Sequence, residues 1–130
     1  MKPKQLRLSL KTKWFEMTKA GIKTEDYREI SIYWLCRFIM VNEEMYYSEL
    51  DEICCELKRG IMTPAECFKW ADIEFRAFDQ NVMTLGYPKS TDADRIITFE
   101  HTGIEVRTGN PEWGAEPGKM YFVIKHGKQL

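Results

Sequence analysis

The sequence predicts an α+β domain whose sheet curls into a small barrel flanked by helices, with a helical insert over about residues 42–70. Three observations support this. A strand-like alternation opens the chain, two helical patterns stand back to back in its middle, and short strand-like runs divided by turn residues fill its second half. At 130 residues the chain, 1–130, has the size of a single domain and is long enough to bury roughly two-thirds of the surface it exposes when unfolded.

Leu6, Leu8 and Leu10 alternate with Arg7 and Ser9, the period of a half-buried strand. Thr12 is placed to cap a short helix through Trp14, Phe15 and Met17, and Gly21 ends it by taking a left-handed conformation. Residues 22–29 read as a second strand. Ser31 then opens a helical turn containing Tyr33, Trp34 and Arg37. The longest helix starts at Asn42, Glu43 and Glu44 and stops at Lys58, Arg59 and Gly60, so acids sit at the positive end of its dipole and bases at the negative end. Within it Tyr46, Leu50, Ile53 and Leu57 recur at helical spacing. Thr63-Pro64-Ala65-Glu66 combines a capping box with proline at the first helical position, and a further helix runs toward Trp70. Strands follow at 73–78, 82–85, 95–100, 104–107 and 120–125. Their dividers are Asp79-Gln80-Asn81, residues 86–90, His101-Thr102-Gly103 and a long loop over 108–118.

A hydrophobic content of 44% with 30% charged residues excludes a disordered or collagen-like chain, and apolar runs such as residues 38–41 are too short to span a bilayer. No membrane partner is expected. The segment Met1-Lys2-Pro3-Lys4-Gln5 carries no apolar signal-peptide core, which makes the cytoplasm the expected compartment. Cys36, Cys54, Cys55 and Cys67 have no CxxC spacing, and His101 and His126 stand at no ligand-like interval from them. The expectation is free thiols, no metal and no cofactor.

The net charge of −1 hides an asymmetry: residues 1–28 carry +5, residues 29–57 carry −6 with Arg37 as their only base, and the remainder balances. A whole-surface polyanion binder is therefore excluded, and any nucleic-acid contact belongs to a local basic cleft in the first third. The plainer reading is a solvated basic arm beside an acidic helix.

Chemistry concentrates in Gly21-Ile22-Lys23-Thr24-Glu25-Asp26-Tyr27-Arg28, which offers a glycine turn, an ammonium, a hydroxyl, carboxylates and a guanidinium. In a regular strand Thr24, Asp26 and Arg28 share one face, so Lys23 joins Asp26 and Arg28 only from a turn before the strand or across a bulge. Lys23 and Arg28 suit a phosphate or a base edge, with Lys13 as a third cation, while Trp113 and Tyr87 offer stacking faces. Each has a structural alternative: an Asp26–Arg28 ion pair, and Trp113 as a core plug.

These residues resemble the G-x-K-x-x-E-x-R signature of ASCH domains, relatives of the PUA-like fold. The resemblance extends to residues 6–10, Lys13-Trp14-Phe15, Tyr27-Arg28-Glu29, Gly86-Tyr87, Trp113-Gly114-Ala115-Glu116-Pro117-Gly118 and Tyr121-Phe122-Val123-Ile124, with the acidic helix as an insert. Asp26 stands where the family usually has glutamate, which keeps a carboxylate with a shorter reach. The resemblance implies a small PUA-like β-barrel with a cleft that binds single-stranded RNA or a nucleotide or nucleoside.

Some ASCH proteins hydrolyse acylated cytidine with a lysine, a threonine three residues later and a distant glutamate. Here Lys23 matches the lysine, Asp26 occupies the threonine position, Thr24 is the nearest hydroxyl, and Glu112 and Glu116 are the acids that precede the last strand. The leading expectation is thus a nucleotide- or RNA-binding module using Lys13, Lys23, Asp26, Arg28, Tyr87 and Trp113. The alternatives are a hydrolase of modified nucleosides or RNA using Lys23, Thr24, Asp26 and Glu112, and a protein-interaction domain with a basic partner for the acidic helix.

Overall fold

A computed structural model of the chain describes residues 2–41 and 44–130. It is α+β. In chain order the elements are β1 (Gln5–Leu10), α1 (Thr12–Lys19), β2 (Glu25–Arg28), α2 (Ile32–Phe38), β3 (Ile39–Val41), α3 (Tyr47–Arg59), α4 (Pro64–Ala71), β4 (Ile73–Phe75), β5 (Gln80–Leu85), β6 (Ile96–Thr108) and β7 (Met120–Gln129). Five strands form a mixed sheet in the order β1-β5-β6-β7-β2, and β3 pairs with β4 in a separate two-stranded ladder. β1 runs parallel to β5, with Leu6 opposite Asn81 and Leu8 opposite Met83, and β5 runs antiparallel to β6, with Asn81 opposite Phe99.

By internal contacts the chain forms two compact units, to which β2, β6 and β7 each contribute residues on both sides. Unit 1 comprises Met1–Asp26, Ala77–Gly103 and Ile124–Leu130; unit 2 comprises Tyr27–Arg76 and Ile104–Val123. In unit 1 the alternation of β1 buries Leu6, Leu8 and Leu10, with Phe15 of α1 and Val82 and Met83 of β5 also buried. In unit 2 the core is aromatic: Phe38 meets Phe122 edge-on at 5.2 Å, and Phe75 meets Phe68 at 4.7 Å. Ile53 and Leu57 of α3 and Cys67 and Phe68 of α4 are buried in this unit.

Several boundaries differ from expectation, each for a visible reason. The expected strand over 22–29 shrinks to β2 because α1 ends in a Schellman arrangement: Ile22 N–H donates to Met17 O at 3.0 Å and Gly21 N–H to Thr18 O at 3.1 Å, with Gly21 at φ +78°. Lys23 N–H also donates to Met17 O, at 3.1 Å, so Ile22 and Lys23 spend their amides on the helix end. Thr12 is the first helical residue, and Lys11 occupies the cap position. Of the expected start of the long helix, Asn42 and Glu43 lie outside the described residues and Glu44 is not helical; α3 begins at Tyr47 and ends at Gly60 in the left-handed conformation. Thr63 caps α4 as expected, its hydroxyl oxygen accepting from Glu66 N–H at 3.2 Å.

His101-Thr102-Gly103 does not divide two strands. β6 runs through it as one 13-residue strand, with Gly103 absorbing the deviation at φ +135°. β3 is an additional strand, present because Ile39, Met40 and Val41 pair in register with Phe75, Glu74 and Ile73.

Candidate functional site: a buried polar cluster

The turn after α1 brings two predicted residues together. Lys23 is only 2% exposed, and its ammonium donates to Glu25 O at 2.7 Å and to Asp26 Oδ1 at 3.0 Å. Asp26 is buried as well. Lys23 lies in the turn before β2, the placement its sequence position required for it to join Asp26. Burying two ions is tolerated where opposite charges meet, and removing one weakens the compensation of the other in a low-dielectric interior. Lys23, expected to meet an anionic ligand, therefore meets Asp26.

Sequence reasoning missed the rest of the cluster, which lies on β5, β6 and β7 of the same unit. Asn81, fully buried on β5, donates its amide Nδ2 to Lys125 O at 3.1 Å and to His126 Nδ1 at 2.8 Å, while its Oδ1 accepts from His101 Nδ1 at 2.7 Å. Lys125 O can only accept, so it fixes which end of the amide is nitrogen. That choice fixes both imidazoles: His101 carries its proton on Nδ1, and His126, accepting at Nδ1, carries its proton on Nε2 when neutral. His126 Nε2 is buried and has no hydrogen-bond partner among the described residues.

Burial pushes the His126 imidazole down to about 4; Lys23 and His101 push the same way, and Asp26 and Glu25 pull against them. Burial also lowers His101. Both rings are neutral at pH 7. His126 further packs on Phe99, ring centroids 5.3 Å apart, and its backbone N–H donates to Thr24 O at 3.1 Å, which ties β7 to the turn holding Lys23. His101 meets Phe78 edge-on at 5.4 Å.

Asn81 and His101 escaped notice because each stood in a segment read as a turn. A signal existed for His126. It follows Phe122 and Ile124 in the same alternation, so a strand continued past residue 125 carries it to their face.

The other candidates divide between the units. In unit 1, Thr24 is exposed while Lys23 and Asp26 are buried, so its hydroxyl does not share their environment. Lys13 is exposed, its ammonium 4.8 Å from the centroid of Trp14. Tyr87 is 94% exposed on a turn held from three sides: Thr84 Oγ1 donates to Gly86 O at 2.8 Å, Ser9 Oγ to the same oxygen at 3.2 Å, and Arg95 Nη2 to Leu85 O at 2.6 Å. In unit 2, Arg28 places its guanidinium carbon 4.9 Å from the centroid of Trp34. Trp113 is half-buried in a single 3-10 turn, and Glu112 and Glu116 are exposed beside it.

The loop bearing Trp113 is anchored by two phenols. Tyr27 Oη accepts from Asn110 N–H at 2.8 Å and Tyr121 Oη from Glu116 N–H at 2.9 Å, with the two rings 5.7 Å apart.

Charge differs sharply between the units. Unit 1 holds eleven bases and seven acids, a net +4, whereas unit 2 holds eight bases and thirteen acids, a net −5. Among the described residues no group of three or more His, Cys, Asp or Glu could hold a metal ion, and all four cysteines are free, with Cys54 pushed up to about 11 mainly by burial. No helix among the described residues is long and apolar enough to cross a membrane. The chain matches no protein-family model, no curated protein and no solved structure.

Proposed function

We propose that this chain is a cytoplasmic nucleotide- or single-stranded RNA-binding module of the ASCH type, with a PUA-like barrel. Tyr87 carries the proposal. A ring exposed this fully gains nothing from burial, yet three side-chain hydrogen bonds hold the turn that presents it. An exposed aromatic on a braced turn, in a unit of net +4, suits a nucleobase, because stacking uses an accessible π-face and a positive surround favours phosphate. Lys13 supplies a further cation in the same unit; unit 2, taken by itself, offers Arg28 and Trp113 as a cation and an aromatic. The Lys23–Asp26 pair contributes indirectly, by holding the turn of the signature segment.

The test is binding of a panel of nucleotides and short single-stranded RNA to wild type and Tyr87→Ala at two salt concentrations. Salt-sensitive binding that falls about tenfold in the variant supports the reading. No binding at low salt overturns it.

One observation favours a second reading, a hydrolase of modified nucleosides. A buried lysine–aspartate pair beside a neutral histidine is a setting in which proton-transfer groups are tuned. Thr24 is exposed away from that cluster, so within unit 1 Lys23, Asp26 and His126 would have to do the work. Following each ligand for chemical change separates the two: an altered nucleoside promotes the enzyme, and intact ligands throughout the panel remove it.

A further inference from the structure

Helix α2 carries a second arrangement of cations and rings. Ser31 caps it, its hydroxyl accepting from Trp34 N–H at 3.3 Å, and Leu35 and Phe38 face the core of unit 2. Trp34 stacks on Phe38 at 5.5 Å and an interplanar angle of 22°, so the helix is anchored through an aromatic column that continues to Phe122. Tyr33 is on the outside, 60% exposed, edge-on to Trp34 at 5.1 Å. Arg37 lies over both rings, its guanidinium carbon 5.1 Å from the Tyr33 centroid and 5.7 Å from that of Trp34, and it donates Nη1–H to Tyr33 Oη at 3.0 Å.

The charge context makes Arg37 conspicuous. It is the only base among residues 29–57, which hold seven acids, yet among the described residues it bonds to no carboxylate. Glu29, the acid just before the helix, is held by Lys119 at 2.7 Å. With Nη1 donating one hydrogen to Tyr33 Oη, the exposed guanidinium of Arg37 still has further N–H donors, and its planar fork suits the oxygens of a phosphate or carboxylate. Tyr33 adds an exposed π-face beside the fork. A phosphate for the fork and a base for the ring are the two halves of a nucleotide, whereas an acidic peptide uses only the first.

We propose that the Tyr33–Arg37 face of α2 is a contact site for single-stranded nucleic acid, in which Arg37 takes a phosphate and Tyr33 stacks a base. The inference rests on the nucleic-acid reading above and extends it to unit 2.

Fluorescence anisotropy with a short labelled single-stranded RNA tests it, using wild type, Tyr33→Ala, Arg37→Ala, Arg37→Lys and the control Lys58→Ala, each verified as folded by circular dichroism. Tyr33→Ala is expected to weaken binding about tenfold. Arg37→Ala is expected to weaken it and lower the slope of log affinity against log salt by about 0.7, the value for one phosphate contact on a single strand. Arg37→Lys retains the charge but not the planar fork, and it too should bind more weakly than wild type. Lys58→Ala, which removes an exposed charge from α3, leaves binding unchanged. If the α2 variants bind as wild type while Tyr87→Ala is impaired, the inference falls and the nucleic-acid reading stands. If polyglutamate displaces the RNA from wild type as well as unlabelled RNA does, α2 is a general anion patch and the inference falls. If wild type binds no RNA at low salt, both fall.

Discussion

Asn81 donates one amide hydrogen to His126 Nδ1 at 2.8 Å and the other to Lys125 O at 3.1 Å, so a single buried amide on β5 dictates the protonation of an imidazole on β7, two strands along the sheet. The carbonyl oxygen of the same amide engages His101 Nδ1 at 2.7 Å. Replacing Asn81 by leucine removes all three interactions and leaves polar groups of His101, His126 and Lys125 without their partner. Each unsatisfied buried group costs about 1–3 kcal/mol, so Asn81→Leu should destabilise by roughly 3 kcal/mol or more. Urea unfolding measures this; a loss under 1 kcal/mol would mean the amide is not the organiser described.

The tautomer itself is observable. Long-range nitrogen–proton correlation spectra should show neutral His126 protonated on Nε2 and neutral His101 on Nδ1, since Asn81 determines both. An Nδ1-protonated His126 would contradict the amide assignment.

Stability should rise with pH across the acid range. His126 has a folded value of about 4 against an unfolded value near 6.5, so between those limits the unfolded chain binds the extra proton. The contribution is complete above the unfolded value and is lost as pH falls from there through about 4; the shift corresponds to about 3 kcal/mol. Burial lowers His101 in the same direction. Comparing wild type with His126→Gln at pH 7 and near pH 4.5 isolates the contribution of His126: the gap between the two proteins should narrow in acid. A gap independent of pH would show that His126 titrates alike in both states.

Lys23 and Asp26 should behave as a unit. Lys23→Met leaves a buried carboxylate without its ammonium and is expected to cost about 3–5 kcal/mol, whereas Lys23→Met with Asp26→Leu costs clearly less than the sum of the two single changes. A double-mutant cycle in guanidinium chloride checks this, and strict additivity would argue against coupling. Since Lys23→Ala threatens the fold, a loss of ligand binding in that variant requires a folded control before it is read as a lost contact.

Gly109 should resist any side chain. A Cβ there would stand 2.7 Å from Tyr27 Cε1 and from Ala115 Cβ, inside the contact limit for both. Gly109→Ala should therefore cost about 1–3 kcal/mol and expose the 108–118 loop to proteases, which limited proteolysis followed by mass spectrometry would locate. An unchanged cleavage pattern and melting temperature would show that Tyr27 yields without cost.

Local patterns made much of this fold legible. The leucines of β1, the Thr63-Pro64 start of α4 and the Gly60 stop of α3 were readable because each depends on a few consecutive residues. β3 was not, because three residues become a strand only through pairing with β4, a partner more than thirty positions away. The same limit applies to the candidate site. Lys23 and Asp26 stood out within one segment, but their meeting as a buried ion pair depends on how α1 ends, and Asn81, His101 and His126 converge only when three strands align. A single amide among turn-forming neighbours carries no local mark of the two histidines it will organise.

The two partners of the ion pair stand only three positions apart, and the helix end that shapes it is equally local. Bringing the two charges together therefore closes a very short loop and adds little to the entropy of assembling the sheet. What the distant strands must do is desolvate two charges that the local turn already keeps near each other, a smaller task than gathering two ions from far apart. Residues 17–26 thus carry the two charges together with the helix end that spaces them, and grafting them onto an unrelated helix-to-strand junction should carry that spacing along.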